Sequence, residues 1–201
     1  MNIRPYLLAM TAEPSYVRNM AGVLMTADEL LQAHIPDRQV ELVRGVLVVR
    51  EPPGYLHGDV AIRLAVRLAN YVDQHGQGRV LAAETGFQLQ SNPDTVRAAD
   101  VAFLSKERVP DPRPEGYPAM APDLVVEVLS PRDRPGEVLA KVGDWLEAGA
   151  RLVWVIDPRR RLARVYRQDG TEAVVLEHQS LDGEDVVPGF DCALTTVLEN
   201  S

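Results

Sequence analysis

Two carboxylates and one lysine are the residues of this chain whose types and spacing could do chemistry. Glu127 lies inside Ala121-Pro-Asp-Leu-Val-Val-Glu-Val-Leu-Ser-Pro131. That run reads as a buried β-strand, with Leu124, Val126 and Val128 on one face and Asp123, Val125, Glu127 and Leu129 on the other. An ionised glutamate among valines is costly unless a cation or hydrogen bonds compensate it. A salt-bridged structural Glu is the plain alternative. Asp100 sits in a matching context upstream, in Val96-Arg-Ala-Ala-Asp-Val-Ala-Phe-Leu104. Ala98, Asp100 and Ala102 share one face there, and Ala99, Val101 and Phe103 point into the core. Two adjacent strands, each presenting one acid, bring like charges together and raise a pKa unless something positive lies between them. A divalent metal is a common solution. Hard oxygen ligands without a Cys or His cluster point to Mg²⁺ or Mn²⁺ rather than zinc.

A cation follows at a suggestive place. The chain has 21 basic residues but only two lysines, Lys106 and Lys141. Lys141 falls in the helical pattern Arg134 to Gly149, which has Pro135 near its start and Gly149 as its stop. Leu139, Val142 and Leu146 read as the packing stripe, with Lys141 and Trp145 on a neighbouring face. A lysine can lose its proton or contact a nucleophile where arginine cannot readily do so. A solvated helix-face lysine is the competing reading. Glu41, His57 and Glu84 are further candidates. Glu41 opens an apolar strand, Leu42 to Val49 with Gly45 as a kink or turn, where an edge-strand surface acid is the alternative. His57 begins the helix running to His75, where it could cap the helix or contact a phosphate. Glu84, on the strand 79–90, ranks below both.

The elements that must position these groups follow from pattern. Thr26 and Glu29 form a capping box before a short helix, Leu30 to His34. The helix 57–75 carries Val60, Leu64, Leu68, Tyr71 and Val72 on its apolar stripe. Strands are expected near 79–90, 96–104, 123–129 and 151–157, with a hairpin pair near 162–167 and 172–177. A Pro-rich loop, 110–122, separates two of them as a rigid rim. This order predicts an α/β fold with a mixed central β-sheet flanked by helices.

Strand Asp100, strand Glu127 and helix Lys141 together resemble the PD-(D/E)XK restriction endonuclease-like superfamily, and within it the Uma-type family of endonucleases. The similarity runs from Met25 to Leu198. Its matching pieces are Glu41-Leu-Val-Arg-Gly45, His57 opening a helix, Arg97-Ala-Ala-Asp100, Pro122 to Pro131, Lys141 and Val153-Trp-Val-Ile-Asp-Pro158. Two positions depart from the pattern: Ala99 stands where the family places Pro, and Leu129 stands where the superfamily's usual Lys follows the Glu. Lys141 then takes that Lys's part from the next helix. The resemblance implies a restriction endonuclease-like core that hydrolyses nucleic-acid phosphodiester bonds, DNA foremost. It implies a metal held by Asp100, Glu127 and the backbone carbonyl of Val128. Lys141 would orient or deprotonate the attacking water, or neutralise developing charge. A homodimer is implied for double-strand cleavage.

Composition bounds this reading. With 201 residues, 46% of them hydrophobic, the chain can build one sizeable core. Residues 25–201 read as the domain and 1–24 as a flexible extension. A lone Cys192 excludes an internal disulfide and suits a reducing cytoplasm. No run of apolar residues is long enough for a membrane span. The net charge of −8 opposes duplex DNA, although Arg159, Arg160, Arg161, Arg164 and Arg167 form a basic stripe and Arg63 and Arg67 share a helix face. Two other functions therefore stand beside a Mg²⁺-dependent endonuclease. One is a weak or inactive nuclease-fold module for nucleic-acid binding or assembly. The other is a hydrolase of a smaller phosphoester, which would need a closed pocket.

Overall fold

The computed structural model describes residues 24–33 and 39–198, with Glu84 described by its backbone only. Most of the expected extension, residues 1–23, and His34 lie outside the described residues. The chain begins with α1 (Ala27–Gln32). Its capping box is as expected: Thr26 accepts from the Glu29 amide, and Glu29 reaches back to the Thr26 amide at 2.8 Å. The expected single strand after Glu41 is instead a hairpin, β1 (Gln39–Val43) and β2 (Val46–Arg50). Its two-residue turn places Arg44 and Gly45 at φ +50° and +77°, the left-handed pair that such turns need. A Cβ on Gly45 would also meet the Leu24 Cβ at 2.5 Å. Gly45→Ala is accordingly expected to cost about 1–2 kcal/mol, read as a lower urea midpoint with an unchanged m-value.

The helix α2 (Tyr55–His75) buries Val60, Ala61, Leu64, Leu68 and Val72, a 3.6-residue stripe, and ends at Gly76 in the left-handed region. It is followed by β3 (Gly78–Gln90), β4 (Thr95–Ser105) and β5 (Leu124–Val128). Next come α3 (Pro135–Glu147), β6 (Leu152–Asp157), β7 (Leu162–Arg167) and β8 (Glu172–Leu176). Three short elements near the C-terminus carry too little periodicity to be expected from sequence: β9 (Ser180–Asp182), β10 (Asp191–Ala193) and α4 (Leu194–Leu198).

The main sheet runs β2-β1-β4-β5-β6-β7-β8, with β3 also paired to β4. It is mixed: β5 and β6 are parallel, and its other pairs are antiparallel. Leu124, Val126 and Val128 pack with α2 and α4 on one face, as the alternation requires. Val125, Val142, Trp145 and Val153 form the core under α3 on the other. The α3 stripe differs from expectation by one position. Val138, Val142 and Trp145 face inward while Leu139 is half exposed, because both sets fit a three-four spacing. Alternation also fails along β4. Ala99 packs with Ala102 and Leu104, whereas Val101 and Phe103 take the opposite face. The irregularity is a bulge: between Ala82↔Val101 and Thr85↔Ala99, two residues of β3 oppose Asp100 alone.

One consequence of this topology positions everything that follows. A strand has two edges, and β3 follows one edge of β4 from Thr95 to Ser105. The other edge is shared. There β1 pairs only at Val96, and β5 only at Val101, Ala102 and Phe103. Residues 97–100 of β4 are left between them without a strand partner on that side.

Candidate active site

The gap on the β4 edge is filled by side chains. The backbone amide of Ala98 donates to Glu41 Oε1 at 3.2 Å, and Lys141 Nζ donates to the Ala98 carbonyl at 2.8 Å. Buried backbone groups must be paired, and here one acid and one lysine take the place of a neighbouring strand. Lys141 Nζ also lies 2.8 Å from Glu127 Oε2 and 3.0 Å from Glu41 Oε1. Arg97 extends the network. Its Nη1 reaches Glu41 Oε2 at 2.9 Å, and its Nε reaches Asp144 Oδ2 of α3 at 2.8 Å. Glu41 is a candidate site residue whose alternative is a surface acid on an edge strand. The structure excludes that alternative: β1 is interior to the sheet, and Glu41 is buried and paired with three cations, Lys141, Arg97 and Arg50.

Glu127 and Asp100 stand one position beyond the last pair of the β4–β5 ladder, Val101↔Val126. Glu127 turns toward α3, where both its oxygens are engaged: Oε2 by Lys141 and Oε1 by the Trp145 indole N–H at 2.8 Å. Asp100 turns toward α2. Its Oδ2 accepts from the Val128 amide at 2.7 Å and lies 3.0 Å from His57 Nε2. His57 occupies the third position of its helix and does not cap it; the N-cap is Gly54. Its Nδ1 is buried with no partner among the described residues. Five side chains expected from sequence, Glu41, His57, Asp100, Glu127 and Lys141, lie around one gap; Arg97, Asp144 and the Trp145 indole join them without having been expected. Trp145 was legible as the residue one turn after Lys141; the Arg97–Glu41 pairing, 56 positions apart, carried no local signal. Glu84 lies in the β3 bulge, and its side chain is outside the described part.

Electrostatics sort these groups. Glu41 is fully buried, which alone would raise its pKa, but Lys141, Arg97 and Arg50 outweigh burial and hold it at about 2. Burial lifts Glu127 above the ordinary carboxylate range; Lys141 opposes that, while Asp100 and Glu41 add to it, and the balance is about 7. For Lys141, burial opposes the charge, but Glu127, Glu41 and Asp100 prevail and raise its pKa. Lys141 is therefore an ammonium, suited to hold and neutralise charge and unsuited to take a proton. His57 is likewise raised: burial disfavours the cation, and the hydrogen bond and charge of Asp100 override it.

The donors present suit a hard divalent ion. Asp100 Oδ1 has no partner among the described residues, Glu127 retains lone pairs, and the Lys141 ammonium bridges Glu127 and Glu41. Among the described residues no three His, Cys, Asp or Glu side chains close a cage, so water or substrate oxygens would complete the shell. Val128 enters through its amide, which orients Asp100.

The basic stripe is largely neutralised locally. Arg161 pairs with Glu177, Arg167 with Glu184, and Arg63 with Asp59. Around the C-terminal ends of the parallel strands β5 and β6, Arg134 and Arg160 are exposed and pair with Glu137 and Asp157, whereas Arg132 and Arg159 are exposed without an acidic partner among the described residues. Two surface clefts, about 440 and 570 Å³, are lined by other residues and do not include Asp100, Glu127 or Lys141. No helix among the described residues is long and apolar enough to cross a membrane.

Comparison with known proteins identifies the family and the fold. Residues 27–195 match the family Uma2, described as "Putative restriction endonuclease". The fold is similar to the crystal structure of "a putative nuclease belonging to DUF820" from Anabaena variabilis, with a TM-score of 0.74 at 20% identity, covering 87% of this chain and 97% of that one. No curated protein matches the sequence.

Proposed function

The chain belongs to the Uma2 family of the restriction endonuclease-like fold, and from that premise we propose that it is a metal-dependent endonuclease hydrolysing nucleic-acid phosphodiester bonds. The observation that carries this reading is the convergence of Asp100, Glu127 and Lys141 on the unpaired stretch of β4. Asp100 and Glu127, with the Val128 carbonyl, are the groups that would hold Mg²⁺ or Mn²⁺. Such an ion, when bound, supplies Lewis acidity toward the phosphate and a more acidic water. The chain supplies the rest. Lys141, fixed by Ala98 O and Glu41, presents a permanent positive charge at the scissile phosphate. Glu41 acts through Lys141, as a positioning residue. The Asp100–His57 contact orients Asp100 together with the Val128 amide.

Substrate class follows from the surroundings. Asp100 and Glu127 lie beside the C-terminal end of β5, and we take the substrate there to be a polymer. Arg132 and Arg159, exposed after β5 and β6, offer phosphate contacts despite the net charge of −8. Combining Arg132→Glu with Arg159→Glu is expected to weaken binding of labelled DNA uniformly across sequences. The slope of log affinity against log salt should fall by about 1 per lost phosphate contact. An unchanged slope in fluorescence anisotropy would remove these loops from the interface. Duplex DNA is the substrate we favour, with a homodimer supplying one site per strand.

A second reading is favoured by one observation: both Glu127 oxygens are already bonded to the protein, as in a nuclease-fold module without catalysis. Mn²⁺ titration followed by electron paramagnetic resonance separates the two. The endonuclease reading expects a bound Mn²⁺ that Asp100→Ala eliminates; absence of binding in the wild type would favour the inactive module.

A further inference from the structure

Building on the reading of Glu127 as a metal ligand, we propose that Trp145 is a positioning residue, whose indole N–H fixes the carboxylate of Glu127 for the ion. The helix α3 presents Lys141 and Trp145 one turn apart, and each takes a different oxygen of the same carboxylate, both at 2.8 Å. Two donors on two oxygens define the carboxylate plane as well as its location, which Lys141 alone would not. The indole is itself held rigidly. Trp145 is completely buried and meets Phe87 edge to face, with centroids 6.1 Å apart and planes at 76°.

Packing alone does not account for this bond. The chain contains a second tryptophan, Trp154, equally buried and stacked on Phe190, and its Nε1 has no partner among the described residues. The fold therefore accommodates a buried indole for its volume only. At position 145 the N–H is aimed at an ionisable oxygen, a charge-assisted bond of the stronger kind. Partners that orient a ligand from behind are typically worth about 10–100-fold in metal affinity, and that is the contribution assigned to Trp145.

Two measurements test the assignment. With only two tryptophans, the ¹⁵N spectrum holds two indole signals, and Trp145→Phe identifies one by its loss. In Glu127→Gln that indole signal is expected to move upfield while the Trp154 signal stays. Mn²⁺ titration should then show Trp145→Phe binding about 10–100-fold more weakly than wild type, with unchanged circular dichroism. Should the smaller ring unsettle the fold, 3-benzothienylalanine at position 145 keeps the bicyclic volume, lacks the N–H and should show the same loss. An indole signal indifferent to Glu127→Gln overturns the proposal. So does wild-type Mn²⁺ affinity in the two 145 variants, which would leave Glu127 as a ligand without this support. Absence of Mn²⁺ binding by the wild type would instead overturn the metal-site reading, and the positioning role with it.

Discussion

Glu41→Ala is expected to lower folding stability by about 3–5 kcal/mol, a loss concentrated on what the substitution strands. Arg97 is buried and would keep only Asp144 as a partner; Lys141 would keep only Glu127 and the Ala98 carbonyl; the Ala98 amide would lose its acceptor. A buried cation without its counter-charge costs far more than an exposed one. The pH dependence carries the sign. A carboxyl lowered from 4.5 to about 2 stabilises the fold fully above pH 4.5, and that contribution drains away as the pH falls toward 2. Its size is about 3 kcal/mol. Urea denaturation at neutral pH and again on acidification should therefore show the gap between wild type and Glu41→Ala narrowing in acid. A gap below about 1 kcal/mol at neutral pH would mean that the Arg97–Glu41–Lys141 network is incidental.

Lys141→Met and Lys141→Arg are expected to lose activity for different reasons. Methionine removes the cation bonded to both Glu127 and Glu41, so cleavage should fall by about 10²–10³-fold or more and stability should drop with it. Arginine keeps the charge but brings a planar, wider group into a place that the Ala98 carbonyl, Glu41 and Glu127 fit to a compact ammonium. The Arg variant should fold and bind DNA yet cleave poorly. Kinetics at saturating substrate, beside thermal melts, separate the cases. Full activity in Lys141→Arg would reduce Lys141 to a counter-ion.

Much of this was legible because it is written in local pattern. The strand around Glu127 is apolar on both faces, α3 opens with Pro135, and Thr26 and Glu29 announce α1; each is decided within a few residues. The mixed sheet follows from the order of such elements. What was not legible depends on partners far along the chain. That β1 is interior, and Glu41 therefore buried, depends on a single pair with Val96. The stretch of β4 left open for the site depends on where β1 and β5 both stop. The β3 bulge opposite Asp100 lies in the unequal lengths of two strands. In α3, two candidate stripes differed by one residue, and only the sheet beneath chose between them. That Arg161 and Arg167 of the arginine stripe are neutralised was not legible, because their acids, Glu177 and Glu184, lie in later segments.

The central claim is that Asp100 and Glu127 serve a metal-dependent nuclease, and supercoiled plasmid tests it most directly. Purified wild type and Glu127→Ala are each incubated with Mg²⁺, Mn²⁺ or EDTA. Nicking or linearisation by the wild type that requires the metal, and falls about a thousandfold or more in Glu127→Ala, is the predicted result. Cleavage that survives EDTA, persists equally in Glu127→Ala, or is absent from the wild type would contradict it.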